Sequence, residues 1–285
     1  MKEENQKKIK KIKNILSDNE SKDNNEFDIL FLVDATGSMS SYITAAKEET
    51  KNISDELRKL YPEKMFQYGY VFYRDPVDSK SDEHEVIDLT DNVNSLPEKI
   101  SRIAATGGGD LPEDWVGAYK LANEKIKWRN GTRVIMHLAD AGAHGKLFTL
   151  SDKYPEEEEK LIKELEKCAE KKIKIFGYVI KSDAQNSFNE CSKIYRKLGG
   201  SYEIMQFLNI APKPQNPVFY GISPMNPMMG MGMNPMMNMN LNNMMMNNMN
   251  SAPMVNMNMN NQMNINMNFQ RNAINSVQSI LDKKK

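Results

Sequence analysis

The sequence predicts an α/β fold: a doubly wound, mostly parallel six-stranded sheet with one antiparallel edge strand and helices on both faces. Three observations carry this expectation. After Asp28, residues 29–33 (Ile-Leu-Phe-Leu-Val) form an unbroken apolar run rather than an alternating one, as expected of a strand buried on both faces. From Phe27 to residue 207, strand-length runs then alternate with segments of helical period. Finally, the connection between the second and third strands is too short for a parallel crossover, which makes that pair antiparallel.

Each element has its own signal. After the first strand, Ile43, Ala46, Thr50, Ile53, Leu57 and Leu60 recur at spacings of three and four, marking one face of a helix that Pro62 stops. A strand at 67–73 follows, and after an Asp-Pro turn a shorter one at 84–89. Leu96, Ile100 and Ile103 belong to a helix that leads into Thr106-Gly-Gly-Gly-Asp110-Leu-Pro-Glu113, and another helix runs to about Trp128. Next come a strand at 132–139, the loop Asp140-Ala-Gly-Ala-His144-Gly, and a helix from about Pro155 to Lys172. A strand at 173–180, a helix at 187–198 ended by Gly199-Gly200, and a strand at 202–207 complete the series.

The flanks divide the chain into four segments. Residues 1–26 read as a basic leading helix and linker, with Lys7, Lys8, Lys10, Lys11 and Lys13 set around Ile9, Ile12, Ile15 and Leu16. Such a face can lie on an anionic membrane surface, although solvated lysines on a leading helix are the simpler reading. Residues 27–209 form the α/β domain. In 210–268 the composition breaks: between Gly221 and Asn268 there are 17 Met and 16 Asn, with no aromatic residue and no period. That composition predicts a low-complexity insertion without a packed core. Residues 269–285 regain a stripe at Ala273, Ile274, Val277, Ile280 and Leu281, which predicts a helix completing the domain.

Composition narrows the function. With 38 basic and 38 acidic residues the formal charge is zero, so no global field favours nucleic acid. Cys168 and Cys191 have no ligand-like spacing and read as buried thiols of a reduced compartment. The first residues lack the apolar core of a signal peptide, and no run approaches the ~18 apolar residues of a spanning helix, so a cytoplasmic location is expected.

Chemistry concentrates in three loops. At the end of the first strand Asp34, Thr36 and Ser38 can aim three oxygens at one point, a donor set that suits Mg²⁺. A strand end followed by a helix N-cap would use the same residue types. Thr106–Glu113 and Asp140 supply further oxygens in Gly-rich loops. In an open α/β sheet such strand ends share one crevice, and carboxylates gathered there repel unless a cation joins them. Three other residues are read blandly: Asp75 in a turn or ion pair, His137 as a satisfied core histidine, and His144 as a loop histidine that lines the rim in the functional alternative.

At these residues the chain resembles the von Willebrand factor type A domains and their metal-ion-dependent adhesion site. The family motif Asp-x-Ser-x-Ser is matched as Asp34-x-Thr36-x-Ser38, and its acidic ligand after the fourth strand is matched by Asp140. The middle loop resembles the integrin β-subunit form through Asp110-Leu-Pro-Glu113. The ordered matches at Asp34–Met39, Tyr73–Asp75, Gly107–Glu113 and Asp140–Gly145 are similar to intracellular members found with α-kinase domains in protists; Gly142 and Ala143 stand where prolines are common.

The resemblance implies a Rossmann-like sheet and a metal site of Asp34, Thr36, Ser38, Glu113 and Asp140, with Asp110 or Thr106 as alternatives or water-mediated neighbours. It implies Mg²⁺, with Mn²⁺ or Ca²⁺ as substitutes, and a non-catalytic module that captures a partner's Asp or Glu side chain. Met39, Ser40 and His144 would form the rim. Two alternatives compete. A haloacid-dehalogenase-like phosphohydrolase also places an Asp after a buried first strand, but it needs a second acid where Thr36 stands. The other is a scaffold or accessory protein of an α-kinase-type system whose metal site is structural or empty; this chain has no kinase catalytic segment of its own.

Overall fold

The computed structural model describes residues 25–75, 84–108, 112–150, 152, 154–207 and 252–284. The leading segment 1–24, Asp110 and residues 208–251 of the Met/Asn-rich stretch lie outside the described residues. Six strands, β1 (Glu26–Asp34), β2 (Met65–Tyr73), β3 (Glu85–Thr90), β4 (Thr132–Ala139), β5 (Ile173–Val179) and β6 (Tyr202–Gln206), form one sheet in the order β3-β2-β1-β4-β5-β6. All neighbours are parallel except β2 and β3, which pair antiparallel. The chain winds outward from β1 in one direction and then, from β4, in the other. The carboxyl ends of β1 and β4 therefore flank the switch point, where such sheets leave a crevice.

Among the described residues six helices cover the sheet: α1 (Ser40–Leu60), α2 (Leu96–Ile100), α3 (Trp115–Glu124), α4 (Glu157–Glu170), α5 (Gln185–Lys197) and α6 (Ala252–Leu281). Because strand side chains alternate between faces, β1 feeds two cores. Phe27, Ile29, Phe31 and Val33 join the layer with α1, α2 and α6, whereas Leu30 and Leu32 join the layer with α3, α4 and α5. On the second layer Gly177 of β5 leaves the space filled by the ring of Phe188; a Cβ there would lie 2.4 Å from that ring. Phe188 in turn packs on Trp115 and His137.

Three element boundaries differ from the expectation, each for a local reason. Leu60 is 45% exposed, because Tyr61 takes the next buried position at the end of α1. The helix expected to reach Trp128 stops at Glu124, and the Trp128 indole N–H donates to the Ala122 carbonyl, satisfying one of its last acceptors. The third departure is the largest. Helix α6 begins at Ala252, inside the stretch expected to lack structure, rather than at 269. Met is a good helix former, and Ile265, 4% exposed, extends the buried stripe one turn ahead of Phe269.

Helix α6 lies alongside α1 with its N-terminal half toward the carboxyl edge of the sheet. Gln262 donates to the Ser41 carbonyl at 3.0 Å and Asn266 to Glu48 at 2.7 Å, while Tyr61 at the far end donates to Asp282 at 3.0 Å. Its buried side, Ile265, Phe269, Ala273, Ile274, Val277, Ile280 and Leu281, covers the sheet, and Phe269 stacks on Phe31 with ring centroids 5.3 Å apart. Met259, Met263 and Met267 face outward, each about 60% exposed. Replacing Phe269 by Ala should lower unfolding stability by about 3 kcal/mol. Met263→Ala, on the exposed face, should change it by less than about 0.5 kcal/mol. Urea denaturation of the two variants checks this, and equal values would mean that α6 does not close the core.

Candidate functional site

The site is built at the ends of β1 and β4. Asp34, the last residue of β1, is fully buried. One carboxylate oxygen, Oδ1, accepts from the Thr36 N–H at 2.9 Å and from the Thr36 hydroxyl at 2.7 Å. The other, Oδ2, is buried without a hydrogen-bond partner. A short 3₁₀ turn, Gly37–Met39, then presents Ser38 at the surface, and its hydroxyl donates to Asp140 Oδ2 at 2.6 Å. Asp140, only 4% exposed, also receives the Lys181 ammonium on that same oxygen at 2.6 Å. Burial disfavours the Asp34 charge, Thr36 partly offsets that, and nearby Asp140 reinforces it, so the Asp34 carboxyl is raised from 3.8 to about 7.

The second loop reaches the first through its backbone. Thr106 N–H donates to the Ala35 carbonyl at 3.1 Å, and Gly37 N–H approaches the Gly107 carbonyl at 3.4 Å. Gly107 and Gly108 have φ of 86° and 97°, a conformation that favours glycine, and Gly108 passes against the Thr36 side chain. Thr106 is exposed beside this contact. Glu113 takes a different direction: its N–H donates to the Gly142 carbonyl at 2.8 Å, and its carboxylate accepts the Asp75 N–H at 2.9 Å. Asp34, Glu113 and Asp140 nevertheless act together on the buried Tyr73 hydroxyl, whose pKa burial and then these three charges push well above its usual value. Among the described residues no three His, Cys, Asp or Glu side chains cluster as a metal site. The tight oxygen group is Asp34, Thr36, Ser38 and Asp140.

Two rim expectations need correction. Met39 is fully buried in the first core, because the 3₁₀ turn carries it inward between two exposed residues, Ser38 and Ser40. His144 is also buried, held between two carboxylates: Nε2 lies 2.8 Å from Asp75 and Nδ1 2.9 Å from Asp152. A neutral imidazole has one N–H, so facing two carboxylates favours the doubly protonated cation. Burial alone would lower the His144 pKa; the hydrogen bonds and charges of Asp75 and Asp152 override it and raise the pKa to about 9. Asp152 falls below the usual carboxylate value: burial would raise it, but the Gly145 N–H, His144 and the Tyr154 N–H prevail. Exposed apolar side chains near this edge come instead from Leu147 and Leu150 on the following loop.

His137 is a core histidine, set 2.7 Å from the Tyr73 hydroxyl and 3.2 Å from that of Tyr119, and burial lowers its pKa to about 3. Sequence reasoning missed Lys181 and Asp152. A lysine two residues past a strand carries meaning only once β5 is known to neighbour β4, and Asp152 is separated from its histidine partner by a loop of no periodic signal.

The clamp around His144 predicts a pH signature. Its folded pKa exceeds the usual 6.5, so its stabilisation is complete below about pH 6.5 and is lost as pH rises through about 9. His144→Gln should cost about 2 kcal/mol at pH 6 and much less at pH 9.5. Thermal melts of both proteins across that range check this, and an equal loss at both ends would contradict the charged clamp.

Comparison with known proteins places the chain in a family. The family model described as von Willebrand factor A domain matches residues 28–199, more than half of the chain. An α-protein kinase, vwkA, from Dictyostelium discoideum is 35% identical over 130 residues, which are 45% of this chain and 20% of the relative. This chain thus spans about a fifth of that protein. Among solved structures, the pilus adhesin SpaC from Lactobacillus rhamnosus GG in its open conformation is 12% identical, covering 65% of this chain and 28% of that one, with a TM-score of 0.43. Proximal thread matrix protein 1 of the mussel byssus is 16% identical, covering 61% and 45%, with a TM-score of 0.38. With the sequence match running from β1 to the end of α5, the chain belongs to the von Willebrand factor A domain family.

Proposed function

We propose that this domain binds a protein partner through a divalent cation, Mg²⁺ by preference, held by Asp34, Thr36, Ser38 and Asp140. The observation that carries the reading is Asp34 Oδ2, a buried carboxylate oxygen without a partner, set beside a second buried carboxylate. An isolated buried charge of this kind is costly, and a cation among the oxygens relieves it. The donor set also fits: carboxylate and hydroxyl oxygens suit a hard ion that keeps waters in its shell. The ion would supply an outward coordination position for an Asp or Glu side chain of the partner. Ser40 and the exposed Leu147 and Leu150 then supply the surrounding contacts.

Two observations favour Thr106 over Glu113 as the middle loop's oxygen donor. The Thr106 backbone is bonded to Ala35 within the first motif, and Glu113 spends a carboxylate oxygen on the Asp75 N–H. The same motif argues against hydrolysis. Thr36, the residue two past Asp34, spends its hydroxyl on the Asp34 carboxylate and offers no acid for proton transfer.

Calorimetric titration of Mg²⁺ and Mn²⁺ should give one site per chain, and Asp34→Ala should abolish it while the protein still melts cooperatively. Partners captured by the wild-type domain should be released by a chelator and missed by Asp34→Ala. Absence of metal binding in the folded wild type would overturn the reading, as would steady phosphate-ester turnover abolished by Asp34→Asn.

A further inference from the structure

We propose that Lys181 is a tethered counter-cation that competes with the divalent ion for Asp140 and so sets the metal affinity of the site; this rests on the metal-binding reading above. The Lys181 ammonium lies 2.6 Å from Asp140 Oδ2, and the Ser38 hydroxyl donates to the same oxygen at 2.6 Å. A carboxylate oxygen offers about two acceptor directions, so both are taken. An ion, or a water of its shell, that uses this oxygen must displace one donor. Ser38 can keep its place by turning a lone pair toward the ion. An ammonium cannot, because it carries the same sign of charge into the same space.

Backbone geometry holds the lysine at this level. Ile180 N–H donates to the Ala139 carbonyl at 3.0 Å, continuing the β4–β5 ladder one step beyond the strands. Lys181 follows in an extended conformation, φ −125° and ψ 160°, before the 3₁₀ turn Ser182–Ala184. Its stem therefore starts next to the residue that follows Ala139, which is Asp140. Exposure separates the two partners: the Asp140 side chain is 3% exposed and that of Lys181 54%. The carboxylate is fixed, while the lysine reaches in from solvent and can swing out. The ammonium neutralises one of two neighbouring carboxylates and leaves Asp34 Oδ2 unpartnered. That asymmetry is expected of a placeholder on the rim rather than an ion pair built into the core.

Titration of Mg²⁺ and Mn²⁺ into wild type, Lys181→Met and Lys181→Arg, each confirmed to melt cooperatively, tests this. Lys181→Met should bind about tenfold more tightly than wild type, as removal of a like charge near the ion requires, and Lys181→Arg should stay near wild type. In chelator Lys181→Met should melt below wild type, and saturating Mg²⁺ should close or reverse the gap. Wild-type binding with equal or weaker affinity in Lys181→Met would overturn the role of Lys181 and leave the metal site standing. Absence of binding in all three proteins would overturn the metal reading and this inference with it.

Discussion

Two carboxylates, Asp34 and Asp140, are carried to adjacent strand ends and buried there, and the surroundings of the site follow from the need to accommodate them. The sheet order imposes the juxtaposition, because β1 and β4 are neighbours although more than a hundred residues separate the two acids. Thr36 answers half of Asp34 with two hydrogen bonds, Ser38 and Lys181 answer Asp140, and one oxygen of Asp34 is left over. Burial first, and the neighbouring charges after it, raise the Asp34 carboxyl and the Tyr73 hydroxyl. Burying two neighbouring carboxylates in this way costs folding stability.

The loops around that cluster are held by a second polar assembly. His144, placed by the loop after β4, joins Asp75 at the end of β2 to Asp152 beyond the loop's turn. Asp75 also donates its N–H to Glu113, and Glu113 donates its own to Gly142. Four chain segments thereby lock together on one side of the crevice. On the other side Thr106 and Gly107 rest on the first motif through backbone bonds. The side chains facing the crevice are thus oriented by a frame of charged and backbone hydrogen bonds.

Much of this was legible in the residues. The unbroken apolar run before Asp34 announces a central parallel strand, and the short 73-to-85 connection announces the antiparallel edge. Asp34, Thr36, Ser38 and Asp140 could be named because each follows a recognisable strand end. Other residues were illegible because their roles depend on tertiary neighbours. Met39 lies between two exposed serines yet is buried by a 3₁₀ turn. His144 reads as a loop residue until Asp75 and Asp152 arrive from either side. Helix α6 was misjudged for a different reason: Met and Asn carry no apolar period, and only Ile265 and Phe269 reveal which face is covered.

In the function proposed above, Asp34 is a buried charge kept for a cation. Its pKa is raised from 3.8 to about 7, so its ionisation costs folding stability that is lost as pH rises through about 7. Asn has the same shape, keeps an acceptor for Thr36 and carries no charge. At pH 8 in chelator, Asp34→Asn should therefore melt above wild type, by about 2–4 °C for each kcal/mol relieved. Added Mg²⁺ should raise the wild-type midpoint and leave that of Asp34→Asn unmoved. A variant that melts below wild type in chelator would mean that Asp34 is an ordinary satisfied carboxylate and that no charge is held there for a cation.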